Sequence, residues 1–295
     1  MNVELRHLRY FLAVADELHF GRAAERVHVA QPAISQQIRR LEAEIGTELF
    51  HRNRREVRLA PAGEALRGYA VRAIDEVNEG VEAARRAARG EIGNLTVGFL
   101  ETAASTIVPR AVRQFRATRP DVNLTLRELG VGAQIDDLQA GRLDVGIIRP
   151  PADADDLLFE RIIDEKLIAA VPSGHPLAGR DQITARTVVD QPLVLLSREV
   201  VPGLYDQVLA IRQEESGSGV IAQEATSIQA VLGLVSAELG ISVMPASVRS
   251  LSREGVVFVA IRSDHRSALL TARRRDDDSP VVEAFLAAAR AAASG

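Results

Sequence analysis

The sequence predicts an α/β protein in several parts: a small, all-α-rich N-terminal unit ending in a hairpin, a long linker helix, and a larger domain of two similar lobes. Three observations predict it. With 295 residues and 46% hydrophobic content, the chain exceeds what one core usually sustains. The first 60 residues carry apolar side chains at helical spacing and hold ten Arg against eight Asp plus Glu, although the whole chain has net charge −4. From Asn94 onwards, short apolar runs alternate with helical patterns, the signature of an α/β sheet.

Composition also excludes classes. Zero cysteines removes disulfides and thiolate chemistry, and the six histidines (His7, His19, His28, His51, His175, His265) lack ligand spacing, so no metal is expected. No run of about 18 apolar residues occurs, so no membrane partner is expected. The charged stretch Met1 to Arg9 lacks a signal-peptide pattern, which predicts a cytoplasmic protein. Lys166 is the only lysine, a bias of composition.

Leu5, Leu8, Phe11, Leu12 and Ala15 mark a first amphipathic helix over Glu4 to Asp16. A short second helix follows from about Gly21 to Val27, and after a turn at His28 to Ala30 a third begins at Gln31-Pro32, where proline suits the first turn. Ile34, Ile38, Leu41 and Ile45 form its inward stripe, which leaves Gln31, Pro32, Ser35, Gln36, Arg39 and Arg40 outward. Gln and Arg can grip base edges bidentately, and a helix N-terminus tolerates a phosphate. Gly46 is a left-handed cap. His51 to Leu59 then places four arginines on an alternating segment that reads as a hairpin wing. A polar face or an arginine run alone is usually just solvated surface. Their order within one short unit is what points to a winged helix-turn-helix on DNA.

Leu5-Arg6-His7-Leu8-Arg9-Tyr10-Phe11, Phe20-Gly21-Arg22-Ala23-Ala24, Val29 to Ser35, Leu41-Glu42, and Gly46-Thr47-Glu48-Leu49-Phe50 with Arg52 closely resemble the LysR-type regulators. The resemblance implies DNA contacts from Gln31, Pro32, Ser35, Gln36 and Arg39, and wing contacts from Arg52, Arg54 and Arg55. It further implies a double-stranded promoter as partner, RNA polymerase as a second partner if the protein is an activator, and a small-molecule effector. Two positions depart from the family pattern: Gln36 stands where many members have Arg, and Ala60 where most have a Thr that would cap the next helix.

From Pro61 no proline recurs until Pro109, and Leu66, Ala70, Ala73, Val77, Gly80, Ala84 and Ala87 form a heptad-like seam. A helix with such a seam either pairs with its copy in another subunit or lies on its own C-terminal domain; the resemblance favours a dimer, and often a tetramer. Arg85, Arg86 and Arg89 complement the helix dipole at its end, and Gly90 to Asn94 reads as a hinge. The domains are thus 1–60, 61–90 and 91–295.

In the last domain, strands are expected at Leu95 to Leu100, Asn123 to Arg127, Val145 to Ile148, Leu167 to Val171, Leu193 to Leu196, Val220 to Ala222, Ile241 to Met244, Val256 to Ile261 and Ala268 to Ala272. Helices are expected near Ser105 to Arg116, Gly132 to Gln139, Tyr205 to Ile211, Ile228 to Glu238 and Pro280 to Ala292. This is a Rossmann-like, periplasmic-binding-protein-like pair of lobes with a mainly parallel sheet; the resemblance implies that the final helix returns to complete lobe I, which gives lobe I over about 91–162 and 267–295 and lobe II over about 163–266. Ligands of such sheets sit at strand C-termini and helix N-termini. The candidates at those places are Thr102, Ala103, Val131, Arg149, Pro202, Gly203, Ser227 and Ile228.

An arginine with hydroxyls suits a carboxylate, so a small organic acid is expected and no other cofactor. Glu101 would repel an anion, and Val131 stands where aromatic-acid sensors often carry a hydroxyl. Arg149 reads equally as an inter-lobe salt bridge, and Thr102 as a helix cap. A periplasmic solute binder shares the two-lobed plan, but the basic N-terminal unit opposes it. Catalysis has little support: Ser173-Gly174-His175 has no orienting carboxylate, no G-x-S-x-G elbow or phosphate loop occurs, and Asp276-Asp277-Asp278 reads as a solvated loop.

Overall fold

The computed structural model describes residues 3–52 and 56–294, and the chain divides into two compact units between Arg86 and Ala87. In the first unit, helices α1 (Leu5–Glu17), α2 (Phe20–Arg26) and α3 (Gln31–Ile45) surround a core of Phe11, Val14, Ala24, Ile34, Ile38, Leu41 and Phe50. The Phe50 ring lies 5.5 Å from Phe11 and 6.1 Å from Phe20. Helix α2 starts one residue earlier than the sequence indicates because the His19 Nδ1 accepts the N–H groups of Gly21 and Arg22, a cap not expected of histidine. Helix α3 ends at Gly46 with φ 83, the left-handed conformation glycine adopts without penalty. Ile45, expected inward, is 37% exposed because the helix has already run past the core.

Strands β1 (Phe50–Arg52) and β2 (Val57–Leu59) pair antiparallel with His51 opposite Arg58, forming the expected hairpin. Helix α4 (Pro61–Ala88) follows. Ala60 is buried, its N–H donating to Leu49 and its carbonyl accepting from Glu64, so a side chain larger than alanine has little room there. The start of α4 packs on the three-helix core through Ala62, Leu66 and Ala70, whereas every side chain from Asp75 to Arg85 is exposed. No helix among the described residues is long and apolar enough to cross a membrane.

The second unit begins with β3 (Gly93–Phe99), α5 (Glu101–Ala104), α6 (Ile107–Thr118), β4 (Val122–Glu128), α7 (Val131–Gln139) and β5 (Val145–Ile148). Strand β6 (Leu157–Pro172) leads to β7 (Gln182–Thr184), α8 (Ala185–Val189), β8 (Leu193–Leu196), α9 (Pro202–Glu214), β9 (Ile221–Ala225), α10 (Ile228–Ser236) and β10 (Ser242–Pro245). After a 3-10 turn at Ala246–Ser250 come β11 (Val256–Arg262), β12 (Arg266–Arg274) and α11 (Pro280–Ala293). One apolar core joins β3, β5, α6 and α11, with Phe115 edge-on to Phe285 at 5.5 Å; another joins β6, β8, α9, α10 and β11.

The expectation of a mainly parallel sheet needs correction. Strands β3, β4 and β5 are parallel, but β12 runs antiparallel to both β5 and β6, and β10 and β11 are antiparallel to β6. The chain leaves lobe I through β6 and returns through β12, so the two crossings lie side by side in opposite directions, Arg266 opposite Lys166 and Arg274 opposite Leu157. The first half of β6 escaped the sequence reading because Glu160, Arg161, Asp164, Glu165 and Lys166 interrupt its apolar run. The expected hinge at Gly90 is also revised: a Cβ there would lie 2.9 Å from the Pro280 backbone, so the residue is packed on the start of α11.

Lobe I is pinned at the end of α7, where Asp137 receives Arg127 at 2.7 Å and Arg142 at 2.6 Å. The Arg142 hydrogen bond, with Arg127 beside it, outweighs desolvation and holds the Asp137 carboxyl below its ordinary value. Its contribution is therefore full above the ordinary aspartate range and lost as pH falls through the lowered folded value. Asp137→Asn should lower the urea midpoint at pH 7, and the gap to wild type should shrink below about pH 4. Urea titrations of both proteins at the two pH values measure it.

Candidate functional site

Helix α3 presents Gln31, Pro32, Gln36, Arg39 and Arg40 exposed, with Ser35 half-buried between them. Residues three and four apart share a helix face, so Gln31, Ser35 and Arg39 line up behind the first turn. Its N-cap, Ala30, supplies no side-chain hydrogen bond; Pro32 has no N–H and the Ala33 N–H donates to the Ala30 carbonyl at 2.9 Å, so of the first turn the Gln31 N–H is left for a phosphate.

Arg52 has an internal role that the sequence did not reveal. Its Nη2 donates to Glu42, and its guanidinium lies 5.1 Å from the Phe20 ring centroid. The same Glu42 carboxylate accepts the N–H groups of Leu49 (2.9 Å) and Phe50 (3.3 Å), tying α3 to the hairpin. Arg54 and Arg55 lie outside the described residues. Among the described hairpin residues a further exposed cation is Arg58, 3.3 Å from Glu56; its position across from His51 marks it only once the strands are paired.

Between the lobes of the second unit lies a cavity of about 130 Å³. Leu100, Glu101 and Thr102 line it from α5, Glu128 to Gly130 from the end of β4, Leu196, Val200 and Val201 from beyond β8, and Thr226 to Ile228 from the start of α10. Of the expected residues it gathers Thr102, Ser227 and Ile228. Ala103 is fully buried in the lobe I core, and Val131 packs with Leu100 and Leu138. Pro202 and Gly203 open α9 elsewhere. A Cβ on Gly203 would sit 1.6 Å from the Pro150 carbonyl oxygen, so this glycine lets lobe II approach lobe I backbone to backbone. With Arg149 it borders a second, open cleft of about 650 Å³. The ends of β4 and β8 were the readable signal for the lining residues that were missed, since strand C-termini are where such sites form.

Arg149 is 2% exposed, and the salt-bridge alternative describes it. Its Nη2 donates to Glu165 at 2.7 Å, Nη1 to Ser267 Oγ at 2.8 Å and the Ala268 carbonyl at 3.2 Å, and Nε to Thr102 Oγ1 at 3.3 Å. Glu165 also accepts the Ser247 N–H at 2.7 Å. Burial pushes the guanidinium below its ordinary value, and Glu165 opposes that shift. Thr102 therefore serves as an acceptor for Arg149 and not as a helix cap, which leaves its O–H free to donate into the cavity. Ser227 caps α10 by accepting the Ala230 N–H at 3.2 Å. His175 is occupied locally, its Nδ1 accepting the Leu177 N–H. No cluster of metal-ligating side chains occurs among the described residues.

Residues 5–64 match the model of the bacterial regulatory helix-turn-helix proteins of the lysR family, and residues 88–294 match that of the LysR substrate binding domain. The chain is 37% identical over 285 residues to the HTH-type transcriptional regulator AlsR of Bacillus subtilis, covering 96% of this chain and 94% of the relative. It is 34% identical to the Hca operon transcriptional activator HcaR of Escherichia coli, over 97% of this chain and 96% of that one. Among solved structures, the LysR family regulator CbnR superposes with a TM-score of 0.85 at 27% identity, covering 98% of this chain and all (100%) of that chain. Full-length CbnR complexed with its target DNA gives a TM-score of 0.86, also at 27% identity, covering 99% of this chain and 100% of that chain.

Removing one partner of a buried ion pair strands the other. Arg149→Met should cost about 3–5 kcal/mol, and adding Glu165→Leu should recover most of it, because an apolar pair of similar volume replaces a buried ion pair at little cost. Chemical denaturation of the two variants beside wild type decides this; an Arg149→Met protein as stable as wild type contradicts the assignment.

Proposed function

The chain belongs to the LysR family of bacterial transcriptional regulators, DNA-binding proteins with an effector-binding domain, and on that premise we propose how its residues divide the work. Helix α3 enters the major groove with Gln31, Pro32, Ser35 and Gln36 at the base edges and Arg39 on the backbone, while Arg54 and Arg55 of the hairpin grip phosphates. The support for this is the exposed polar face of α3, whose first turn lacks a side-chain cap, in a unit similar to one solved on its target DNA. Arg52 acts through Glu42, holding the hairpin at its angle to α3. Gln36, in place of the Arg common at that position, favours adenine over guanine.

Helix α4 pairs with its counterpart in a second subunit through Val77, Val81 and Ala84, which are exposed in the single chain. The protein works as a homodimer or a higher assembly of such dimers, in the cytoplasm where promoter DNA lies, with RNA polymerase as a further partner when it activates. It is a switch and not an enzyme. A small molecule enters the inter-lobe cavity against Thr102, Ser227 and Ile228 and favours one arrangement of the lobes over another. The expectation of a small organic acid rests on Arg149. With that guanidinium committed to Glu165, Ser267, Ala268 and Thr102, the cavity has no basic lining residue for a carboxylate.

Fluorescence anisotropy on the intergenic DNA beside the gene, against scrambled DNA at about 150 mM salt, should show a preference of roughly a hundredfold or more. Gln31→Ala or Ser35→Ala should change which sequences are preferred, whereas Arg54→Ala should weaken all sequences alike and flatten the salt dependence. Equal binding to native and scrambled DNA refutes the reading of α3.

A further inference from the structure

The inter-lobe cavity carries the wrong charge for an acid. Two of its lining residues, Glu101 and Glu128, are carboxylates, and none is Lys, Arg or His. Glu101, in lobe I, sends its Oε2 across the cavity to accept the N–H of Ile228, 2.8 Å away at the first residue of α10 in lobe II. A bound carboxylate would use such a helix N-terminus, and here the chain's own carboxylate fills it. The Ala230 N–H of the same turn goes to Ser227 Oγ. At the end of β4, the Glu128 side chain makes no hydrogen bond or ion pair among the described residues. Arg149 does not neutralise either glutamate, being held by Glu165 on the crossing strand. The rest of the wall is apolar, from Leu100, Leu129, Leu196, Val200 and Val201, or bears hydroxyls from Thr102, Thr226 and Ser227.

We propose that Glu101 is the specificity-determining residue of this cleft: it occupies the anion seat at the start of α10 and, with Glu128, selects small apolar-bodied ligands that present a cationic N–H group. The assignment rests on the cleft being the effector site. An incoming anion has to displace Glu101 and meets Glu128 unpaired, and both penalties act against the wrong ligand. A cationic N–H group instead donates to the free oxygen of Glu101 and to Glu128, while its apolar body replaces water against the leucines and valines.

Isobutyrate, isobutyramide and isobutyramidinium share nearly one shape and differ in charge, so concentration-dependent thermal shifts of the full-length protein isolate the electrostatic preference. Wild type should bind isobutyramidinium at least about tenfold more tightly than isobutyrate, with the amide between them. Glu101→Gln, which keeps an acceptor for Ile228 but loses the charge, should reduce that ratio by about tenfold. Glu101→Ala also vacates the N–H and should reduce it further. Wild-type preference for isobutyrate, a ratio unchanged in Glu101→Gln, or no shift with any probe overturns the assignment. Promoter binding measured on the same samples separates the two readings: specific DNA binding with an unchanged ratio sinks only Glu101, whereas wild type without specific DNA binding sinks the regulatory function.

Discussion

A guanidinium without water must be answered bond for bond, and in the ligand-binding unit that demand falls on Arg149. Four hydrogen bonds reach it from β12, from the crossing strand β6 and from α5. The partners belong to three different segments, so all must arrive together for the charge to be tolerated. The pair with Glu165 stands where the chain crosses between lobes, and Glu165 in turn holds the Ser247 N–H beyond β10. A buried ion pair of this kind contributes little net stability, but it penalises every arrangement in which the partners are separated. The crossing point is accordingly held in one arrangement, and the bond from Arg149 fixes Thr102 at the wall of the cavity between the lobes.

The first unit uses the same device on a smaller scale. Glu42 is the side chain through which α3 knows where the hairpin is, since one carboxylate takes the Leu49 and Phe50 N–H groups and the Arg52 guanidinium. The tilted and edge-on rings of Phe11, Phe20 and Phe50 fill the space beneath. In both units, then, a carboxylate and an arginine are spent on geometry, which leaves other polar groups to make the outward contacts. Arginine is the suitable cation for such a role, because its planar fork can hold several acceptors at fixed angles.

Much of the architecture was legible from the order of residues. Helix α3 and its glycine cap, strands at Val145–Ile148 and Leu193–Leu196, and the closing helix from Pro280 all lie where periodicity and punctuation put them. What escaped did so for identifiable physical reasons. Residues 160–166 of β6 include charges whose partners lie outside the strand, such as Glu160 with Arg290 and Glu165 with Arg149, so locally the stretch reads as polar chain. The 3-residue strand β7 and 5-residue helix α8 are too short for a period to show. Of the cavity, Thr102, Ser227 and Ile228 were readable as helix starts, whereas the wall from Val200 and Val201 follows a strand end and has no motif of its own.

The sequence by itself determined most of the local content of this protein: which of the longer apolar-patterned segments are helix or strand, which faces are apolar, and that a helix-turn-helix with a basic hairpin precedes a two-lobed domain. These depend on residue spacing within a turn or a pleat, and that information is complete in a short window. Only the tertiary structure decided which polar groups are free. Arg149 and Arg52 look available in the sequence and are occupied, Gly203 looks like a ligand contact and is a point of backbone approach, and Glu101 looks like an obstacle and is the group that bonds across the cleft. A side chain's remaining hydrogen-bonding capacity depends on partners up to more than a hundred residues away, and no local pattern encodes them.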